Sequence, residues 1–196
     1  MADYLASIFA TEKDKVNCSF YYKIGACRHG LKCTKSHNLP TFSQTVLLKN
    51  FYLGPLNSAK LPGQEFKQYT EEELQKHFDD TYEELFLELE NKYGELEELN
   101  ICENLNDHLI GNTYAKFRYE EDAEKACEDL NNRWFDSKPI YAELSPVTDF
   151  HEASCQFNPE ECPRKKQCNF LHMKQISRDL QKRLFKNKRR FFYRRY

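Results

Sequence analysis

One ligand pattern occurs twice in the chain and constrains everything between its copies. Cys18, Cys27, Cys33 and His37 are spaced C-x8-C-x5-C-x3-H, and Cys155, Cys162, Cys168 and His172 are spaced C-x6-C-x5-C-x3-H. Zinc takes four tetrahedral ligands from thiolate and imidazole. Three cysteines with one histidine make a closed structural site with no open position for catalysis. The last two intervals agree in both copies, and a histidine follows the last cysteine by the same step each time. That regularity disfavours buried free thiols or disulfides and predicts two structural zinc ions. Neither finger encloses enough residues for a core of its own, so each must draw stability from its metal. The stretch between the two ligand sets, about a hundred residues long, is large enough to bury one.

The ligand sets use six of the eight cysteines. Cys102 and Cys127 sit inside apolar patterns and are expected to be core thiols. Such usage fits a reducing compartment, cytosol or nucleus. The opening Met1-Ala2-Asp3-Tyr4 has no basic region followed by an apolar run, so no signal peptide is expected. No stretch approaches the roughly 20 apolar residues that cross a bilayer. The net charge of −2 hides an asymmetry. Acids dominate from Glu71 to Asp107, opposed only by Lys76 and Lys92, and bases dominate from Arg164 onward, opposed only by Asp179. Opposed blocks of this kind suit two partners, one basic and one acidic, and nucleic acid is the usual acidic partner of a basic tail beside zinc fingers.

Taken in order, residues 4–10 predict a short amphipathic helix leading into the first finger. Phe20, Tyr21 and Tyr22 follow the first cysteine, with Arg28, His29, Lys32 and Lys35 beyond. So small a finger leaves some of these rings exposed, where they either stack on the bases of single-stranded RNA or pack on the neighbouring domain. Thr45–Phe51 predicts a buried strand, and residues 52–69 a loop. Thr70 with Glu73 forms a capping box for a helix running through Lys92 and ending at Gly94. Phe78, Tyr82, Leu85, Phe86 and Leu89 recur at helical spacing and mark its buried face. Strands are predicted at Leu96–Cys102 and Leu109–Tyr119, joined by a turn at Asn104–Asp107. A second helix follows over Glu120–Asn132, with Ala123, Ala126, Cys127 and Leu130 inward, and then a last strand at Pro139–Leu144. The order βαββαβ is an α+β sandwich of the RNA-recognition-motif type.

Two departures from that motif bear on function. Its third strand is expected to read K/R-G-F/Y-G/A-F-V-x-F/Y. Here residues 110–117 read IGNTYAKF, so the leading base is lost and Asn112 stands where the first stacking ring belongs. On the first strand Leu47 occupies another usual aromatic position. The sheet therefore keeps its frame and loses much of its stacking surface. Trp134, the only tryptophan, falls in a predicted loop where packing does not demand it, as an interface anchor would. Glu83, Glu84 and Glu88 lie at near-turn spacing and are expected to share a helix face that suits a basic peptide. The plainer alternative is a solvated acidic helix beside a surface tryptophan.

With DKVNCSFY, KIGACRHG, NKYGE, DHLIGN, EEDAEKA, DLNNRWF, AELSPVTDF and CNFLH, the chain resembles the small subunit of the U2 auxiliary factor, the heterodimer that marks 3′ splice sites. The likeness runs from residue 1 to about residue 185. It implies a nuclear splicing factor in which two CCCH fingers flank a peptide-binding variant of the motif. The corresponding domains are residues 1–40 (helix and finger), 43–147 (motif-like domain), 148–175 (finger) and 176–196 (basic helix or tail). The resemblance implies that Glu84 and Glu88 meet basic residues of a proline- and tryptophan-containing segment of the large subunit. It further implies that Phe135 contacts the tryptophan of that segment, that Arg133 braces the loop, and that Trp134 inserts among its prolines. The fingers are expected to lie together against the sheet and read the AG dinucleotide, with Phe20, Arg28, Thr34, Lys35, His151 and Phe170 at RNA-contact positions.

Several positions depart from the family pattern, which often has Ser at Thr34 and Arg at His151 and Gln156. The second finger is also one residue shorter than usual between its first two cysteines. These changes leave the metal set intact and bear on fine sequence preference. The end, KRRFFYRRY over residues 188–196, is not Arg-Ser-rich; it suits nonspecific RNA contact, nuclear import or a solvated tail. A protein scaffold with purely structural fingers is the competing reading. An enzyme is disfavoured because both zinc sites are closed and no H-x-E with P-C-x-x-C signature occurs. His29, His77, His108 and His151 form no recognisable triad, and no phosphate-cradling glycine loop is present.

Overall fold

The computed structural model of the protein describes residues 16–55, 69–157 and 161–185. The helix expected over residues 4–10, most of the 52–69 loop and the basic end beyond residue 185 lie outside those residues.

The described elements run in the order α1 (Ser19–Ile24), β1 (Thr45–Leu48), α2 (Glu71–Lys92), β2 (Leu96–Ile101), β3 (Thr113–Phe117), α3 (Glu120–Leu130), β4 (Trp134–Phe135), β5 (Lys138–Pro139), β6 (Ala142–Leu144), α4 (Phe150–Ala153) and α5 (Arg178–Leu184). A four-stranded antiparallel sheet has the order β2-β3-β1-β6, the βαββαβ sandwich expected from the sequence. Its first helix starts where the sequence places it. The Thr70 side chain accepts from the Glu73 amide at 3.2 Å, and the Glu73 carboxylate accepts from the Thr70 amide at 2.9 Å. Phe78, Tyr82, Leu85, Phe86 and Leu89 form its buried face, as their spacing predicts.

Strand alternation divides the interior into two cores. Val46, Leu48, Ala115 and Phe117 point toward α2 and α3 and join the helix-side core. Leu47 and Tyr114, paired in register across β1 and β3, point the other way, where Ile24, Val147, Phe150, Ala153 and Leu171 cover them. Burying side chains of this size is worth about 1.5–3 kcal/mol each. The apolar centre of each face is therefore buried, and that of the second is roofed by residues of the finger segments.

Several boundaries differ from the sequence reading. The third strand begins at Thr113 because the chain still turns at Gly111, whose φ is +65° and where an added Cβ would lie 1.9 Å from the Tyr52 carbonyl oxygen. Asn112 is buried and serves that turn, accepting from the Asn50 amide at 3.0 Å and donating to the His108 carbonyl at 3.0 Å. Pro139–Leu144 is not one strand. Trp134 pairs with Pro139 and Phe135 with Lys138 in a tight hairpin, and β6 starts only at Ala142. Asp136 and Ser137 both take positive φ, 46° and 61°, the twist a two-residue hairpin turn requires. Cys102 is buried as expected, whereas Cys127 is only partly so.

The last described helix returns to the helix side. Ser177 caps α5 and donates its amide to Asp79 at 3.1 Å, Phe185 meets Phe86 edge-on at 5.1 Å between centroids, and Arg183 pairs with Glu83 at 2.6 Å. Glu83 and Glu88 do not share a face. Five residues of helix turn through about 500°, setting them about 140° apart. Glu88 instead pairs with Arg133 at 2.8 Å.

Candidate metal centres and nucleic-acid interface

The two ligand sets converge. Sulfur and imidazole nitrogen atoms of Cys18, Cys27, Cys33 and His37 lie within 4.8 Å of one another, as do those of Cys155, Cys162, Cys168 and His172. In the second set the Cys155 sulfur is 3.8 Å from that of Cys162 and 3.9 Å from that of Cys168. Those separations are far too long for a disulfide, and all of the cysteines are free. They match the edge of a zinc tetrahedron, about 3.8 Å for zinc–sulfur bonds of about 2.3 Å. In the first set, His37 Nε2 is buried with no hydrogen-bond partner among the described residues, as a nitrogen reserved for a metal would be. Both sets thus fit structural zinc.

The same local architecture shapes both centres. The segments flanking each set pair in parallel, Asn17 with Ser36 and Ser154 with Leu171. The Cys18 amide donates to Ser36 at 3.0 Å, and the Cys155 amide to Leu171 at 3.0 Å. A short 3₁₀ turn precedes the third cysteine each time, at Gly30–Lys32 and Lys165–Gln167. Tyr21 stacks on His37 with centroids 4.4 Å apart. Burial, with Glu143 nearby, pushes the Tyr21 phenol up to about 12, so the stacking ring stays neutral.

Docking on the sheet sets how the fingers face each other. The Tyr114 hydroxyl donates to the Ile24 carbonyl at 2.6 Å. Gly25 ends α1 at φ +74° and sits so close to β6 that a Cβ would meet the Ser145 hydroxyl at 2.7 Å. Opposite, α4 carries Phe150 against Tyr114, edge-on at 5.7 Å. Asn104, wholly buried in the β2–β3 connection, donates to the Cys168 and Phe170 carbonyls at 3.0 and 2.9 Å and accepts from the His172 amide at 2.9 Å.

Between the fingers opens a cleft of about 1070 Å³. Phe20 of the first finger and Phe170 of the second meet across it, with centroids 6.1 Å apart and planes at 61°. His151 lines it as well, together with the cations Lys23 and Arg164 and the exposed ring of Phe157. Of the residues named from sequence, Phe20, His151 and Phe170 come together here. Arg28, Thr34 and Lys35 are exposed on the first finger and are not among the lining residues. Arg28 donates to His29 at 3.1 Å, and both add to the burial that holds the His108 pKa below its ordinary value. Phe157 was legible in principle, because it follows Cys155 by two residues as Phe20 follows Cys18. Asn104 carried no signal beyond a turn.

On the helix side, Arg133 spans Glu88 and the Tyr93 hydroxyl, at 2.8 and 3.3 Å. Phe135 stacks on Phe51 with centroids 4.6 Å apart. Trp134, beside it on the hairpin, is 70% exposed, and Glu84 is exposed on α2.

The fold and the two centres define a class: an RNA-recognition-motif domain whose sheet carries a pair of CCCH zinc fingers. The RNA recognition motif family matches residues 78–141, and the zinc finger C-x8-C-x5-C-x3-H type (and similar) matches residues 13–39. The splicing factor U2af 38 kDa subunit of Drosophila melanogaster is 61% identical over 193 residues, 97% of this chain and 73% of that protein. The U2AF 26 kDa subunit of Bos taurus is 58% identical over 94% of this chain and 84% of its own. The U2AF 23 kDa subunit of Schizosaccharomyces pombe is 53% identical over 92% of this chain and 83% of its own. The chain belongs to the family of U2AF splicing-factor small subunits, a family of RNA-binding splicing factors and not of enzymes.

Proposed function

We propose that the cleft between the fingers holds single-stranded pre-mRNA at the AG dinucleotide of a 3′ splice site, in the nucleus. The motif-like domain meanwhile grips the large subunit of the same factor through the Trp134 hairpin. The observation that carries this reading is the covering of the sheet. Leu47 and Tyr114, on the face where such motifs stack bases, are fully buried under the finger segments. Base stacking must then fall to other rings, and Phe20 and Phe170 face each other across a cleft with cations on its wall. A stacked base is worth about 1–3 kcal/mol. Two small fingers therefore give modest affinity, which tethering to a subunit on the neighbouring sequence would raise through effective concentration.

Arg28, Thr34, Lys35 and His151 are assigned to the RNA by family position, as are Glu84, Glu88, Arg133, Trp134 and Phe135 to the partner. In this assignment Arg133, paired with Glu88, braces the hairpin, Glu84 and Glu88 meet basic residues of the partner segment, and Phe135 contacts its tryptophan. Trp134 inserts among the partner's prolines, in a reciprocal exchange of tryptophans. The test is fluorescence anisotropy of the protein bound to its partner segment, with a short RNA containing UAG against one with AG altered, and a chelator control. Selective binding that the chelator abolishes, and that Phe20→Ala and Phe170→Ala weaken, is expected. Equal weak binding to both RNAs that salt removes would refute it, and would favour a scaffold with purely structural fingers.

A further inference from the structure

The two metal centres share one local design but are anchored differently. In the first, the histidine segment is tied within its own finger: the Cys18 amide donates to Ser36, the Ser36 amide donates to Val16 at 2.7 Å, and Tyr21 covers His37. Cys33 and His37 are both partly exposed. In the second, the equivalent segment has its own pairing with residues 153–155 and a further set of bonds from the sheet domain. The Glu103 amide donates to the His172 carbonyl at 2.9 Å, and the Lys174 amide to the Ile101 carbonyl at 3.0 Å. These extend β2 by a strand-like pairing between Cys102 and Met173. The Asn104 side chain then closes the turn between two ligands, with its oxygen on the His172 amide and its nitrogen on the Cys168 and Phe170 carbonyls. Asn106 adds a donor to the same Cys168 carbonyl at 2.9 Å. Cys168 and His172 are each only 2% exposed.

We infer that the two zinc sites are not equivalent, and that Asn104 is the positioning residue that makes them so. The sheet domain pre-forms the Cys168–His172 half of the second site, so less order is lost to the metal there and less is recovered when the metal leaves. The first site is closed by metal and local bonds and opens more readily. Scarce zinc or thiol-reactive conditions therefore act through the first finger while the second keeps its metal and its fold. Asn104 never touches the ion. It works on the backbone between two ligands, as outer-shell partners of metal sites do.

The experiment uses the full chain loaded with zinc. Release into excess pyridylazoresorcinol is followed in time, and pulses of N-ethylmaleimide mapped by peptide mass spectrometry identify the cysteines freed at each stage. Two phases of one ion each are expected, with Cys18, Cys27 and Cys33 labelled in the fast one. Asn104→Ala should speed the slow phase about 10-fold or more, the size of outer-shell effects on metal sites, and leave the fast phase alone. Loss of general stability would instead speed both. Asn106→Ala, at a partly exposed position that removes one bond to the same carbonyl, should give a smaller acceleration of the same phase. It carries the test if Asn104→Ala does not fold. A single phase, first labelling of Cys155, Cys162 and Cys168, or an unchanged slow phase in the variant that folds would overturn the inference.

Discussion

Replacing Tyr114 with Phe isolates the bond that docks the first finger. The ring lies in the sheet-side core with no exposed surface, packed edge-on against Phe150, and phenylalanine keeps that packing. Only the hydroxyl is lost, and with it the 2.6 Å bond to the Ile24 carbonyl. A buried acceptor deprived of its donor costs about 1–3 kcal/mol. At 1.4 kcal/mol per tenfold, the equilibrium for lifting α1 off the sheet should rise about 5- to 140-fold. Because the bond joins finger to domain, the effect should be local. Amide hydrogen exchange measured by mass spectrometry should accelerate by that factor in peptides spanning residues 19–27 and stay unchanged in α2 and α3. RNA affinity should fall with it, since Phe20 rides on α1. Unchanged exchange over residues 19–27 would refute the claim that Tyr114 holds the finger down. Equal acceleration throughout the chain would show that the hydroxyl supports the whole fold.

Trp134→Ala should leave thermal stability nearly untouched, because the ring is 70% exposed. It should nonetheless weaken binding of the large-subunit segment by about 2 kcal/mol or more in a calorimetric titration; equal affinity would remove the hairpin from the interface. Thr70→Ala breaks the capping box of α2 and should cost about 1 kcal/mol in urea unfolding, while Thr70→Ser should cost little. Gly111→Ala should destabilise by about 3 kcal/mol, the upper range for a single substitution, since its Cβ would strike the Tyr52 carbonyl at a positive φ. Burial above all, joined by the Arg28 and His29 charges against the pull of Asp107, holds the His108 pKa down. Its folded value lies below its unfolded one, so the unfolded chain takes up the proton first and stability falls as the pH drops through about 6.5. His108→Gln should flatten that slope in unfolding curves recorded between about pH 8 and 5.

What the sequence made legible follows the range of the interactions involved. Helix α2 was readable to the residue because its start is a reciprocal bond between Thr70 and Glu73 and its buried face repeats every turn. The zinc sets were readable because ligand spacing is itself short-range chemistry. The hairpin at Trp134 was missed because Asp136-Ser137 is not one of the glycine-bearing pairs that announce such a turn. The grouping of Glu83 with Glu88 failed on helix geometry, since a five-residue offset sets them about 140° apart, whereas the pairing of Glu83 with Arg183, a hundred residues later, had no local signal. Loss of the sheet aromatics was visible at Leu47 and Asn112, but the two losses have different causes. Leu47 is roofed by the fingers, whereas Asn112 is a turn-former tied to Asn50. Asn104 was opaque for the same reason as the Glu83–Arg183 pair: all three of its bonds reach more than sixty residues along the chain.

The return of the chain to α2 after the second finger has a mechanical consequence. Before that finger the chain leaves β6, which is fixed in the sheet; after it, the chain is pinned again at Ser177, Leu180 and Phe185 on the far side of the same domain. The finger is a loop moored at both ends to one rigid body, and it cannot swing on a hinge as a finger on a single linker can. The first finger has its own mooring at Ile24 and Gly25, so the distance between the two rings facing each other is set by the sheet beneath them. A break in the backbone between Lys174 and Ser177 would cast off one of those lines. The stretch after the last zinc ligand is thus part of the frame that keeps the cleft at a fixed width.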